Sequence, residues 1–420
     1  MIPLPRHQVH LSAPVLAALG AALAQRQVLH GPHVAELERR WADATEVPFA
    51  LGTSSGRIAF LLALRALDLQ PGDQVAVPDY TLAAVPALLV AMGLEPLFVD
   101  VDPLTHHLDV DALERALTPR IRAVLATHLF GLCSDVARLE ALCAERDLWL
   151  LEDCAQSAGT LLHGRPLGSF GHLAFFSFNT GKNVASFGGG LLVGKAGALW
   201  ERVRREATAL VPPRREKVLS TVARVLVTWG ITSRAGFPLS LYPALRLADG
   251  LGSDRIDRAM VEAVVPPSLP DRLEGLADLQ ARVGLVQLDR LPAVNARTRR
   301  HGEILAEALE GLPGVRVPRP LPGCDPSRFY LKVEVPDRDA LRPRLLRRGI
   351  DTNADDMFAC SELDIFAPWA RPCPVASAVH ARSLEVPNGF ALSERDVRRV
   401  AGVLREELSH PDSPPRSSAR

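Results

Sequence analysis

The chain has 420 residues, of which 47% are hydrophobic, so it can bury a large core, and its length favours two or three domains over one. A formal net charge of zero argues against nucleic acid or an acidic membrane as the main partner. The six cysteines are scattered, and the chain lacks both a signal-peptide core and an apolar run of about 20 residues, which predicts a cytoplasmic protein without disulfides, a metal site or a transmembrane segment.

The first predicted elements are helices. Two amphipathic helices are expected at 12–29 and 31–45, and a Ser/Gly turn then opens into a helix at 57–67 that is apolar nearly all round. The free N–H groups at the start of such a helix can bind a phosphate group. An ordinary capped core helix has the same pattern, so the turn indicates a phosphate site only if a second feature of a binding site lies near it.

Strands and helices alternate along the next part of the chain. The strands are predicted at 74–81, 95–102 and 121–131, and the helices at 83–93, 110–117 and 136–146. This alternation is typical of a mainly parallel sheet with helices on both faces. His128, at the end of the third strand, could contact a cofactor or serve as a hydrogen-bonded structural histidine.

A stretch in the middle of the chain holds a carboxylate and a lysine that could act together. An apolar run at 148–152 predicts a buried strand that ends at Glu152 and Asp153, and a second strand at 172–178 leads into the loop that carries Lys182. Ligands in open α/β sheets bind beyond the carboxyl ends of the strands. We therefore expect both acids and Lys182 to face one crevice.

A carboxylate and a lysine at one crevice suggest pyridoxal phosphate, which needs a lysine for a Schiff base and an acid to keep its pyridine nitrogen protonated. Only four of the 48 basic residues are lysines, so a lysine in a small-residue loop indicates amine chemistry. A solvated loop cation explains Lys182 alone equally well. The segment 189–196 nearly matches the phosphate loop of ATPases, but Ala196 stands where a magnesium-binding Ser/Thr is needed.

The pattern changes after residue 198. Arginine-rich helices predict an insertion over about 198–265, whose apolar face could pack on the body, on a partner subunit or on a membrane surface. A long helical stretch follows, bent or broken near Pro292, and then mixed strands and helices. We predict a large domain at 1–265, a small α+β domain at 266–410 and a disordered tail at 411–420.

Several motifs occur in an order found in one enzyme family. They include HGPHVAELERRWA, SSGRIAFLLALRALDLQPGDQVAVP, THLFG, EDCAQSAG, SFNTGKN, LQARVGLVQLDRL and VPNGFALSERDVRRV. With them the chain resembles the DegT/DnrJ/StrS family of pyridoxal-phosphate-dependent nucleotide-sugar aminotransferases over nearly its whole length. The resemblance implies fold type I, an α/β fold in which a large domain with a mainly parallel seven-stranded sheet between helices carries a small α+β C-terminal domain.

The resemblance also implies roles for individual residues. Lys182 would hold the cofactor and move the substrate's α-proton, Asp153 would pair with the pyridine nitrogen, and Gln156 would bind the ring's 3-hydroxyl. Ser177 would bind the phosphate group, and Asn183, next to the lysine, would also contact the cofactor. The remaining expected cofactor contacts, to the phosphate or the ring, come from Gly56, Arg57, Ile58, Tyr80 and Leu82.

The chain departs from the family at some of these contacts. Arg57 replaces a phosphate-binding threonine, and its guanidinium would have to substitute for the missing hydroxyl. Leu82 stands where an aromatic residue usually stacks on the cofactor ring, with Tyr80 as a candidate replacement. An asparagine that family members lend to the neighbouring subunit falls at Leu273, and a histidine-bearing loop is replaced by 354–363.

The predicted function is therefore a ping-pong aminotransferase. Glutamate or glutamine would load an amino group, which then passes to a keto sugar that is nucleotide-linked in the family. The alternatives are a non-sugar ketone, an elimination reaction, or a non-catalytic regulator or partner subunit with the same fold. Family members that dehydrate sugars carry histidine at the position of Lys182, which argues against elimination. A homodimer is expected because the family's site lies at a subunit interface.

Overall fold

A seven-stranded sheet lies at the centre of the protein. The structure is a computed structural model that describes residues 2–9, 11–253, 264, 267–354 and 356–409. The described strands are β1 (Phe49–Thr53), β2 (Gln74–Pro78), β3 (Tyr80–Thr81), β4 (Glu95–Val99), β5 (Ile121–Thr127), β6 (Trp149–Asp153), β7 (Leu161–Leu162), β8 (Arg165–Pro166), β9 (Leu173–Ser177), β10 (Gly190–Gly194), β11 (Cys324–Asp325), β12 (Leu331–Glu334), β13 (Phe358–Ala359) and β14 (Ser383–Val386).

The strand order in the large sheet is β1-β10-β9-β6-β5-β2-β4. The pairs from β9 to β4 are parallel, whereas β10 runs antiparallel to both of its neighbours, β1 and β9. The predicted mainly parallel α/β sheet is confirmed. Strand β1 was not predicted, because its sequence, FALGT, is short and merges into the Ser/Gly turn that follows.

Helices cover both faces of this sheet. The described helices are α1 (Ala13–Ala24), α2 (His33–Ala44), α3 (Gly56–Ala66), α4 (Ala84–Ala91), α5 (Val110–Ala116), α6 (Val136–Glu145), α7 (Ala198–Ala207), α8 (Arg215–Thr232), α9 (Gly236–Leu239), α10 (Leu241–Gly250), α11 (Asp278–Leu309), α12 (Arg338–Arg347), α13 (Pro374–Arg382) and α14 (Glu394–Ser409). No described helix is both long and apolar enough to cross a bilayer.

Alternate residues of each central strand enter two different cores. Leu151 of β6 belongs to the core that surrounds α3, whereas its neighbour Leu150 belongs to the core on the opposite face. This division follows from the two-residue period of a strand, and it explains why the central strands are apolar at successive positions. On the α3 face, the ring of Phe60 stacks on Phe175 of β9 with centroids 4.8 Å apart.

A third core surrounds the antiparallel pair β12–β14. It includes Leu345 of α12 and Leu404 of α14, and it therefore contains the strands and helices expected near the C-terminus. The predicted domain division between 265 and 266 and the tail at 411–420 lie outside the described residues. Helix α11 runs unbroken through Pro292, where a bend or a break was expected, and it reaches this core with Ile304 and Leu305.

Candidate active site

A cavity of about 520 Å³ opens beyond the carboxyl ends of β6 and β9. Its wall includes Asp153 at the end of β6, Ser177 at the end of β9 and Lys182 in the loop that follows. The carboxyl ends of parallel strands meet at one edge of a sheet, so the predicted meeting of acid and lysine follows from the topology. The first turn of α3 forms another part of the wall.

A compact turn holds Lys182 at this edge. The Lys182 N–H donates to the carbonyl of Asn179 at 3.0 Å, and the chain returns to the sheet with the Phe178 N–H donating to the carbonyl of Gly189 at 2.9 Å. Gly188 and Gly189 have φ of +97° and +101°, a conformation that L side chains rarely adopt. The glycines after the lysine therefore let the chain reverse within a few residues.

Asp153 is almost completely buried, with 7% of its surface exposed. Its Oδ1 accepts a hydrogen bond from the Ala155 N–H at 2.9 Å. Burial raises the pKa of the Asp153 carboxyl, and this effect is opposed by the Ala155 N–H and by the positive charge of Lys182. A cationic group next to Asp153 would favour its ionised form, which is the form that a protonated pyridine nitrogen needs.

The start of α3 packs closely on the end of β9. Ser55 caps the helix, and its hydroxyl accepts from the Ile58 N–H at 3.3 Å. A Cβ at Gly56 would lie 3.1 Å from the Cβ of Ser177, and one at Gly190 would lie 2.5 Å from the Gly56 nitrogen. Glycine at both positions thus brings backbone N–H groups and the Ser177 side chain to one corner of the cavity, as a phosphate group requires.

The predicted cofactor contacts divide into two sets. Gly56, Arg57, Ile58, Leu82, Asp153, Ser177 and Lys182 all line the cavity. Tyr80, Gln156 and Asn183 lie outside its lining and are buried. Tyr80 stands edge-on to His106, Gln156 Oε1 accepts from the Phe130 N–H at 2.9 Å, and Asn183 Nδ2 donates to the carbonyl of Ala158 at 2.8 Å. The cofactor contacts assigned to these three residues remain predictions.

Glu152 does not face the cavity, contrary to the sequence-based expectation. It is fully buried, its Oε1 accepts from the Gly171 N–H at 2.7 Å, and its Oε2 accepts from the Gly168 N–H at 2.9 Å. His128 Nε2 lies 3.1 Å from the same Oε2, so His128 is a hydrogen-bonded structural histidine. The reason is the strand period, because adjacent residues of β6 point to opposite faces of the sheet.

Glu152, His128 and Cys154 offer ligand atoms that lie within 4.8 Å of one another. Both carboxylate oxygens of Glu152, however, already accept hydrogen bonds from groups of the protein. Burial also raises the pKa of the Cys154 thiol, which favours the protonated thiol over the thiolate that binds metals. We therefore interpret the three residues as a structural cluster.

Sequence reasoning missed one wall of the cavity. Lys217, Thr221 and Arg224 come from α8 of the insertion, and Arg272 and Glu274 come from the segment before α11. The rarity of lysine, which drew attention to Lys182, applies equally to Lys217 and was the available signal. The packing of α8 against this edge depends on tertiary contacts that the helical pattern does not reveal.

Comparisons with known proteins show which family and which enzymes this chain resembles. A model of the DegT/DnrJ/EryC1/StrS aminotransferase family matches residues 11–221 and 274–405. The chain is 29% identical over 409 residues to a UDP-N-acetyl-3-dehydro-alpha-D-glucosamine 3-aminotransferase of Acidithiobacillus ferrooxidans, with 97% of each chain covered. It is 31% identical over 402 residues to a dTDP-3-amino-3,4,6-trideoxy-alpha-D-glucose transaminase of Streptomyces venezuelae, with 94% of this chain and 92% of the relative covered.

A solved structure resembles the protein over the same extent. The crystal structure of Streptomyces venezuelae DesV in complex with a ketimine intermediate superposes with a TM-score of 0.75. Its sequence is 29% identical, and the match covers 94% of both chains. The likeness therefore extends over the sheet, the cavity and the C-terminal core together.

Proposed function

The chain belongs to the DegT/DnrJ/EryC1/StrS aminotransferase family, and we propose that it transfers an amino group from glutamate or glutamine to a nucleotide-linked keto sugar with pyridoxal phosphate as cofactor. The observation that carries the proposal is the single cavity that Lys182, Asp153 and the first turn of α3 line together. An amine, a carboxylate and a phosphate-binding helix start are the three groups that pyridoxal phosphate requires. The relatives named above act on keto or amino sugars linked to UDP or dTDP, which supports the acceptor class.

The residues present fit the cofactor. The backbone N–H groups of Gly56 and Arg57 would hold the phosphate together with the Ser177 hydroxyl, and the Ile58 N–H would join them if it left the Ser55 hydroxyl to which it donates. Asp153 would accept a hydrogen bond from the pyridine nitrogen and keep it protonated. Bound in this way, pyridoxal phosphate supplies an electron sink for the bonds at the substrate's α-carbon.

Lys182 has two roles in this proposal. Its Nζ would join the cofactor covalently when no substrate is bound, and once displaced it would take up and return the proton of the substrate's α-carbon. Arginine cannot perform either step, because the guanidinium stays protonated at all accessible pH values. The side chain of Leu82, which also lines the cavity, would cover one face of the ring by apolar contact.

Absorbance spectroscopy tests the proposal. Purified protein with added pyridoxal phosphate should show a band at about 420 nm, and Lys182→Ala should lose it. Lys182→Arg is the matched control, because it keeps the charge and also cannot form the covalent link. Added glutamate or glutamine should convert the band to that of the amine form. A loaded protein that responds to no amino donor would contradict an aminotransferase and would favour the non-catalytic or eliminating alternatives.

A homodimer is part of the same proposal, since the family places its site at a subunit interface. Light scattering on the loaded protein should give about twice the chain mass of 45.5 kDa. If the loaded protein is a monomer and still accepts an amino group from glutamate, the homodimer is contradicted but the proposed aminotransferase reaction is not.

A further inference from the structure

The cavity is strongly cationic although the chain as a whole carries no net charge. Among the described residues, its charged lining consists of five cations and two carboxylates, namely Arg57, Lys182, Lys217, Arg224, Arg272, Asp153 and Glu274. Such an excess in a concave site raises the local concentration of anionic ligands. The cavity therefore suits a substrate with more than one negative group.

The cations fall into an inner and an outer set. The inner set consists of Lys182, which is close to Asp153, and Arg57, which lies in the first turn of α3, where the proposed cofactor would use them. Lys217, Arg224 and Arg272 form the outer set, which we call the outer wall, together with Thr221 and Glu274. On α8, positions 217, 221 and 224 are spaced by four and three residues, so they share one face of the helix.

The outer wall is attached to the edge of the large sheet. The Ser54 N–H donates to the carbonyl of Glu274 at 2.8 Å, and Gly275 forms a β-bridge with Thr53 of β1. On the other side, the Gly275 N–H donates to the carbonyl of Val211 at 3.0 Å. The segment that carries Arg272 and Glu274 is thus held beside the turn that opens into α3, next to the proposed phosphate site.

One carboxylate serves two of the three outer cations. Glu274 is 2% exposed, and its Oε2 lies 2.8 Å from Lys217 Nζ, while its Oε1 lies 3.8 Å from Arg272 Nε. Arg224 forms no ion pair with any residue in the described part of the chain. Three cations against one carboxylate leave an excess of two positive charges, which matches the two negative charges of a diphosphate diester.

The outer cations come largely from outside the part of the chain that the family model matches. That match covers 11–221 and 274–405, so Arg224 and Arg272 lie in the unmatched stretch between them. We infer that this stretch supplies, from the same chain, a subsite for the diphosphate group of the acceptor, with Arg224 and Arg272 as its anion-binding residues. The inference rests on the proposed function, whose acceptor is a nucleotide-linked sugar.

The Glu274 carboxylate has a defined part in this subsite. It pairs with Lys217 and lies beside the Arg272 guanidinium, and both cations keep further N–H donors for the ligand. Arginine forms two parallel hydrogen bonds to phosphate oxygens, which a lysine cannot do. Arg224, which pairs with no carboxylate among the residues that the structure describes, is then the residue whose loss should weaken diphosphate binding most.

Isothermal titration of the pyridoxal-phosphate-loaded protein with UDP and dTDP tests the inference. The double variant R224A/R272A should bind both nucleotides at least tenfold more weakly, because two charge-assisted contacts are lost. R215A is the matched control, since Arg215 lies on the same helix, is exposed and does not line the cavity. R224K/R272K, which restores the charge, should recover part of the affinity.

Three further measurements make the result decisive. Inorganic pyrophosphate should compete with UDP in the wild type, whereas uridine and thymidine, which lack phosphate, should bind the variants and the wild type alike. The band of the loaded protein and its response to glutamate should be unchanged in R224A/R272A, which tests the proposed function separately. Equal UDP affinity in wild type and double variant would overturn the inference, and so would loss of pyridoxal phosphate from the double variant, because the two arginines would then hold the cofactor.

Discussion

The carboxyl groups of Glu152 and Asp153 point to opposite faces of the central sheet, although the two residues are adjacent in β6. Asp153 lines the cavity on the α3 face, while Glu152 ties together the turn around Gly168 and Gly171 on the other face. One acidic pair at the end of a strand thus serves two purposes. Substitution of Asp153 should therefore affect catalysis, whereas substitution of Glu152 should affect stability.

Asp153→Asn should leave the fold intact and slow amino transfer. The amide fills nearly the same space but cannot hold the pyridine nitrogen protonated, so we expect a loss in kcat on the order of 100-fold or more. Steady-state kinetics with glutamate checks this, with the spectrum of the loaded variant as a control for cofactor binding. A variant with unchanged kcat would show that Asp153 does not act on the cofactor ring.

Glu152→Gln should instead lower the stability of the fold rather than act on amino transfer. The glutamine amide has only one oxygen, so its NH₂ group must face the buried backbone N–H of either Gly168 or Gly171. That N–H then has no acceptor, and the free energy of unfolding should fall by about 2–4 kcal/mol. Urea denaturation measures it. Glu140→Gln is the control, because Glu140 is about one-third exposed and pairs with Arg165 on the surface, where a loss of about 1 kcal/mol or less is expected. Equal losses in the two variants would contradict the structural role of Glu152.

Gly56→Ala should weaken cofactor binding. The new methyl group would lie 3.1 Å from the Ser177 Cβ and 3.2 Å from the carbonyl oxygen of Phe176, so the start of α3 must move away from β9 at a cost of about 1–3 kcal/mol. Titration with pyridoxal phosphate should show a lower affinity. Gly20→Ala is the control, since a Cβ at Gly20 in α1 meets no atom within 4 Å. A cofactor affinity as high as that of the control would show that the close contact is not required.

His107 should make stability depend on pH. Burial lowers its pKa to about 3, and the neutral ring accepts a hydrogen bond from the Leu129 N–H at 3.0 Å. The unfolded chain, with a histidine pKa near 6.5, therefore binds the proton more tightly, and stability is lost as the pH falls below about 6.5. Between pH 7 and 5.5 this residue should account for about 1 kcal/mol of destabilisation.

His107→Gln isolates this contribution. Glutamine can still accept from the Leu129 N–H but does not titrate, so the variant should lose less stability than the wild type over the same pH interval. The difference between the two proteins is the relevant quantity, because other groups titrate there too. Burial raises the pKa of Asp79 to about 6 and lowers that of His7 to about 4. Parallel pH profiles for wild type and variant would exclude His107 as the source.

Much of the fold could be predicted from the sequence, because the residue patterns that indicate strands and helices are local. The apolar runs before Asp153 and before Lys182 are typical of buried parallel strands, and parallel strands bring their carboxyl ends to one edge. That geometry was sufficient to predict that the acid and the lysine share a cavity. The strand geometry could not decide whether Glu152 or Asp153 faces the cavity, because a strand that is apolar on both faces shows no alternation of apolar and polar residues.

Other features of the fold and the site depend on tertiary packing. Tyr80 is an aromatic residue near the expected ring position, yet it lies in the core while Leu82, two residues on, reaches the cavity. Pro292 indicated a bend or break, and α11 continues through it without a break, with buried residues along both halves of the helix. The outer wall could not be predicted, because nothing in the periodicity of α8 indicates which element it packs against.

Helix α11 connects the cavity directly to the core around β12 and β14. Gln280, in its first turn, lines the cavity, and Leu309, at its end, is buried among the residues of that core. Its 32 residues span about 48 Å, and Pro292 near the midpoint removes one backbone hydrogen bond. A change of about 5° at this fulcrum would displace the far end by about 2 Å. The position of the C-terminal core relative to the cavity therefore depends on the straightness of this one helix.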